Sequence, residues 1–181
     1  MGLDGRRLVR LARGAIEAGL SGKPPPETRK SASLGAFVTL HSLPGRRLRG
    51  CVGFPYPVLP LEEAVVQSAL SAAFSDNRFP PVSQAELKSI VIEVSVLSEP
   101  QELKCRPEDI PGKIVIGRDG LVVERHGRRG LLLPVVAAEE KLGAEEFLSH
   151  CCLKAGLPEE SWRRGAKVSV FRAEVFSENQ L

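Results

Sequence analysis

The sequence predicts an α+β fold, an antiparallel β-sheet with helices packed on it. Three observations predict it. Residues 90–97 alternate Ile90, Ile92, Val94 and Val96 against Val91, Glu93, Ser95 and Leu97, the period of two that a strand with one buried face requires. The strand-like segments are separated mostly by turns, with only three helical segments among them, unlike the strict alternation of a parallel βαβ sheet. At 181 residues, with 43% hydrophobic and 26% charged residues, the chain can bury one sizeable core, so residues 1–181 are expected to form a single domain.

The elements follow in order. Within an N-terminal helical segment 1–20, residues 4–20 read as an amphipathic helix, with Asp4 as N-cap and Leu8, Leu11, Ala12, Ala15 and Ile16 in one stripe opposite the arginines. Residues 21–34, with Pro24, Pro25 and Pro26, read as an exposed linker or wrapping loop. Ala36 to His41 and Leu48 to Gly53 suit the two strands of a hairpin turning at Pro44 and Gly45. Pro55, Pro57 and Pro60 then end the strand. Leu61 to Ser75 is a helix, with Glu62 and Glu63 in its first turn and Ala64, Ala69, Ala72 and Ala73 for close packing. Ile114 to Ile116 and Leu121 to Arg125 read as a strand pair around Asp119-Gly120, a favoured turn dipeptide. Leu131 to Leu133 adds a short strand, Glu145 to Ala155 a helix stopped by Gly156 and Pro158, and Lys167 to Phe176 the last strand.

Several function classes drop out. No run approaches the roughly 18 apolar residues of a membrane helix, and the Arg-rich start lacks a following apolar segment, so a cytoplasmic, membrane-free protein is expected. Cys51, Cys105, Cys151 and Cys152 show no CxxC spacing, and His150 beside Cys151 and Cys152 lacks further ligands, so neither a disulfide framework nor a metal is expected. A Gly-rich phosphate loop, a GxSxG elbow and paired glycosidase carboxylates are all missing, and no cofactor is expected. Residues 1–60 hold ten Lys/Arg against three Asp/Glu, and the rest fifteen against nineteen. Neutralisation within the molecule accounts for that asymmetry better than nucleic acid does, because the interleaved aromatic and basic pattern of a single-strand binder is missing.

One constellation carries chemistry. Alternation along a strand puts Arg49 and Cys51 on one face, about 6–7 Å apart, with Leu48, Gly50 and Val52 on the other. If the hairpin centres on Gly45, His41 stands opposite Arg49 and Thr39 opposite Cys51; a one-residue slip would scatter the set. A guanidinium beside a thiol favours the thiolate, which can act as nucleophile or accept a transferred group, while Arg49 can hold a carboxylate or phosphate. Gly50 and Gly53 allow a ligand or another backbone to approach, and Asp76, Arg78 and Glu93 can face the same cleft. The competing structural reading makes Cys51 a small core residue and ties Arg49 to Asp76 or Glu93, with residues 76–78 a rigid turn.

The segment Leu48 to Gly53, LRGCVG, resembles the LRGCIG signature of the AMMECR-one family, named for the Alport syndrome, midface hypoplasia and elliptocytosis chromosomal region. GAFVTL at Gly35 to Leu40, DNRFPPV at Asp76 to Val82, EVSVL at Glu93 to Leu97, IGRDGLVV at Ile116 to Val123, LLLP at Leu131 to Pro134 and CLKAGL at Cys152 to Leu157 are similar to further family stretches. The resemblance implies a compact α+β fold with a smaller subdomain. It also implies a Memo-like or radical-SAM protein as partner, since relatives occur beside or fused to such proteins. Relatives often carry Gln after the LLLP run, where this chain has Val135. The function expected is small anionic-ligand binding or cysteine-assisted chemistry around Arg49 and Cys51. The alternatives are an adaptor role for the partner named above and, less favoured, RNA binding.

Overall fold

Asp4 caps the first helix: its Oδ1 accepts the Arg7 amide at 3.1 Å, which starts α1 at Gly5–Leu20. The computed structural model describes residues 3–180; residues 1, 2 and 181, including the start of the expected 1–20 helical segment, lie outside the described residues. The chain divides into two compact units, residues 1–97 with 174–181, and residues 98–173.

In the first unit α1 is followed by β1 (Gly35–Ser42), β2 (Arg47–Phe54), α2 (Leu61–Phe74) and β3 (Ile90–Leu97). β1 pairs antiparallel with β2 on one side and β3 on the other, and the end of the last strand lies beside β3. The alternation predicts the buried face: Ala36, Val38 and Leu40 of β1 join Ile92, Val94 and Val96 of β3, the α1 stripe, and Ala64, Ala69, Ala72 and Ala73 of α2 in one core. β2 is the sheet's edge strand.

In the second unit β4 (Gln101–Glu102), β5 (Asp119–Arg125), β6 (Arg128–Leu132), α3 (Pro134–Glu139) and α4 (Ala144–Lys154) lead to β7 (Lys167–Ser177), whose last residues belong to the first unit. β7 pairs with β4 and β5, and β5 with β6. Leu121, Val123, Phe147, Leu148, Cys151 and Trp162 fill a second core.

The fold is thus α+β and antiparallel, with local departures from expectation. Ile114 to Ile116 is not a strand, and Asp119-Gly120 is not a turn: Asp119 opens β5 with its carboxylate buried under Arg118, and a turn would expose it. The β5–β6 hairpin turns instead at His126 and Gly127, with φ of 50° and 73°. Pro134, just past the short strand expected at Leu131 to Leu133, occupies the first position of α3, where its missing amide costs nothing.

Candidate functional site

The hairpin register is as expected at Thr39 and Leu40, which pair with Cys51 and Gly50, but slips at His41. A β-bulge between Leu40 and His41 sets His41 opposite Leu48 rather than Arg49, leaving Arg49 as the unpaired residue. The expected pairing of Arg49 with His41 on the face of Cys51 is therefore corrected. Leu48, expected on the opposite face, shares the side of His41 and is 43% exposed.

Arg49 is only 9% exposed and is held elsewhere. Its Nε donates to Glu86 Oε1 at 2.9 Å and its Nη2 to the Pro80 carbonyl at 2.8 Å, while the guanidinium lies 5.8 Å from the Phe79 ring centroid. Arg49, with the Ser83 amide, holds the Glu86 carboxyl at about 2. An ion pair for Arg49 was among the expectations, but Glu86 was not the partner named. It lies in a stretch assigned to no element, so the sequence carried no signal for it.

Asp76 and Arg78 do meet β2, through its backbone. On this edge strand the Cys51 amide points away from β1 and donates to Asp76 Oδ2 at 2.9 Å, and the Cys51 carbonyl accepts Arg78 Nη2 at 3.2 Å. Arg78 also donates from Nε and Nη2 to Asp76 at 2.9 and 2.7 Å, so one ion pair covers both exposed polar groups of Cys51. The Arg78 guanidinium, opposed by burial, keeps the Asp76 carboxyl well below the usual carboxylate range. Gly50 and Gly53 accommodate backbone: a Cβ would stand 2.3 Å from the Ala72 carbonyl oxygen at Gly50 and 2.3 Å from that of Ala36 at Gly53.

What remains beside the thiol is a polar row across three strands. Cys51, Thr39 and Glu93 are register partners on β2, β1 and β3. Cys51 is partly exposed, and its sulfur accepts a hydrogen bond from Thr39 Oγ1 at 3.3 Å. His41 Nε2 lies 3.1 Å from Glu93 Oε2, and Arg46 pairs with the other oxygen of Glu93. His41 Nδ1 is buried without a hydrogen-bond partner among the described residues. The structure thus brings Thr39, His41, Cys51 and Glu93 together, adds Arg46, and assigns Arg49 to the Glu86 side. Arg46 was not among the expected site residues.

The thiol itself is weakly polarised by its one neutral hydroxyl donor, and its reachability sets it apart from Cys151, which burial pushes up to about 12, and from Cys152, which burial also raises. Among the described residues no group of three His, Cys, Asp or Glu side chains could hold a metal, and no helix is long and apolar enough to cross a membrane. Val135 is exposed on α3.

Comparison with known proteins gives a consistent set of relatives. The family model described as AMMECR1 matches residues 9–176. A protein of Methanopyrus kandleri is 49% identical over 98% of this chain and 89% of its own length, and one of Thermofilum pendens 48% identical over 97% and 90%. The crystal structure of an uncharacterised Pyrococcus horikoshii protein superposes with a TM-score of 0.87 at 46% identity, covering 96% of this chain and 91% of that one.

Proposed function

The chain belongs to the AMMECR1 family, and from that premise we propose that the face carrying Cys51 binds a small anionic molecule on which the thiol acts, as nucleophile or as acceptor of a transferred group. The observation that carries this reading is a partly exposed Cys51 whose sulfur is hydrogen-bonded by Thr39 and set in one row with Glu93, which in turn engages His41 and Arg46. Two guanidiniums supply the attraction for an anion. Arg46 and Arg78 have side chains 47% and 51% exposed, so each keeps donors free for a carboxylate or phosphate after meeting its internal partner. Arg49 positions the strand and does not compete for the ligand.

The test is thiol kinetics. Alkylation of the native protein at neutral pH should label Cys51 faster than free cysteine, with Cys105 as the internal comparison because it too is partly exposed. Small carboxylates and phosphates should slow labelling of Cys51 and leave Cys105 unaffected. A Cys51 that reacts no faster than free cysteine and that no anion protects would sink the proposal.

A second reading is favoured by Leu43 and Leu48, 42% and 43% exposed at the hairpin end beside this face. Large apolar side chains there suit a docking surface for a Memo-like or radical-SAM partner. Capture of such a partner that survives Cys51→Ser but is lost in Leu48→Glu would favour this adaptor role over chemistry.

A further inference from the structure

The second unit carries a charged cleft at the stretch Ile116 to Val123, which the Cys51 reading leaves unused. Asp119 stands opposite Arg172 in the β5–β7 register. Its carboxylate is 3% exposed and fixed from three directions. The Val115 amide donates at 2.9 Å, Arg118 donates from Nε and Nη2 at 2.8 Å each, and Arg172 Nε lies 4.0 Å away. One buried anion therefore sits between two guanidiniums whose own side chains are 49% and 68% exposed. Lys113 lines the same cleft of about 420 Å³, whose floor includes Val170 and Phe171.

An ion pair serving stability alone needs one cation for one carboxylate. Here three cations, Lys113, Arg118 and Arg172, line a hollow that holds Asp119 and one exposed carboxylate, Glu99, free to turn into solvent. Asp119 grips Arg118 through Nε and Nη2, leaving Nη1 unengaged and the guanidinium plane fixed, so little side-chain freedom is lost when an anion arrives. The Arg172 backbone is held as firmly, its amide donating to Ser98 Oγ at 3.0 Å and its carbonyl accepting the Ser98 amide at 2.9 Å. One fixed planar guanidinium, a second borne on a firmly held backbone, and a lysine lining the same cleft suit tetrahedral oxyanions. The hollow is of a size for a small molecule.

We propose that this cleft binds a small phosphorylated molecule through its phosphate or pyrophosphate group, with Arg118, Arg172 and Lys113 as donors. The site shares no residue with the Cys51 face and does not depend on that reading.

Isothermal titration calorimetry of the full chain with inorganic pyrophosphate and with orthophosphate tests it. Pyrophosphate should bind more tightly than orthophosphate. Arg172→Ala should weaken binding about tenfold and Lys113→Ala severalfold, on the scale of charge-assisted hydrogen bonds. Arg172→Lys should recover part of the loss, and Lys154→Ala should have no effect. Arg118 is left in place, because its removal would strand the buried Asp119 charge. Millimolar pyrophosphate without heat of binding, or affinity unchanged in both Arg172→Ala and Lys113→Ala, overturns the proposal. So does single-stranded RNA that binds through Arg172 with a steep salt dependence and is not displaced by pyrophosphate, since that marks a nucleic-acid surface.

Discussion

Asp76 is the residue on which the geometry around Cys51 depends most. Its carboxylate, 5% exposed, accepts the Cys51 amide and two guanidinium donors, so Asp76→Ala leaves a strand amide and a cation without their partner. A loss of about 2–4 kcal/mol is expected for that change, and a smaller one of about 1–2 kcal/mol for Arg78→Ala, which strands the buried Asp76 carboxylate but leaves it the amides of residues 51 and 78 as donors. Chemical denaturation of the two variants checks the ranking, and equal losses would contradict it. The pH dependence follows from the same carboxylate. Its pKa is lower in the folded chain than its ordinary 3.8, so the stabilisation is fully present above that value and is lost as pH falls below it toward the folded pKa. Glu86, lowered from 4.5 to about 2 by Arg49, acts in the same direction over that interval. The gap in stability between the natural protein and Asp76→Ala should therefore narrow only below about pH 4. Little of this was legible beforehand. Cys51, Thr39 and His41 could be placed on one face because alternation is a local rule, but the same rule put Arg49 with them and left Glu93 only able to face the cleft. The partners of Arg49 and Asp76 depend on where a loop returns in space.

At the scale of elements, α2 and β2 are joined more closely than side chains would allow. Ala-rich α2 brings the Ala72 carbonyl to the Cα of Gly50, and only a residue without Cβ fits between them. Gly50→Ala would press carbon against a backbone oxygen at 2.3 Å, and neither backbone can yield without moving its element. A cost of about 2–4 kcal/mol is expected. Gly112→Ala, where a Cβ meets nothing within 4 Å, serves as the neutral control, and melting curves that coincide for the two variants would refute this account. The alanines of α2 and the alternation of β3 were readable because both patterns extend over many residues. The bulge at Arg49 was not, since its cause is the capture of that side chain by Glu86 and Pro80. Asp119-Gly120 misled because two dipeptides with turn character lie close together, and burial of the Asp119 carboxylate decides between them.

At the scale of the whole chain, the excess of positive charge in residues 1–60 meets acidic residues from further along. Arg7 pairs with Glu62, Arg46 with Glu93, Arg49 with Glu86 and Arg13 with Glu178, so the asymmetry is in good part neutralised inside the first unit. The last of these pairs ties the two ends of the chain together. Glu178 accepts Arg13 Nε and Nη2 at 2.8 and 2.6 Å, and the same carboxylate accepts the Ile92 amide of β3 at 2.8 Å. Arg13 completes the junction by donating to the carbonyls of Leu87 and Ile90. One side chain near the C-terminus thus satisfies a sheet amide and anchors the first helix, with both ion-pair partners about four-fifths covered. Glu178→Ala should destabilise the protein by about 1–3 kcal/mol, because it leaves the Ile92 amide and a part-buried guanidinium unsatisfied. Glu178→Gln keeps an acceptor and should recover about half of that. Partial burial also limits screening, so the difference between Glu178→Ala and the natural protein should persist in about 0.5 M salt, where an exposed ion pair would have faded. Hydrogen exchange locates the effect: the Ile92 amide and the backbone of α1 should lose protection in Glu178→Ala while α4 keeps its own. An unaltered Ile92 amide would mean that the carboxylate does not hold the chain ends together.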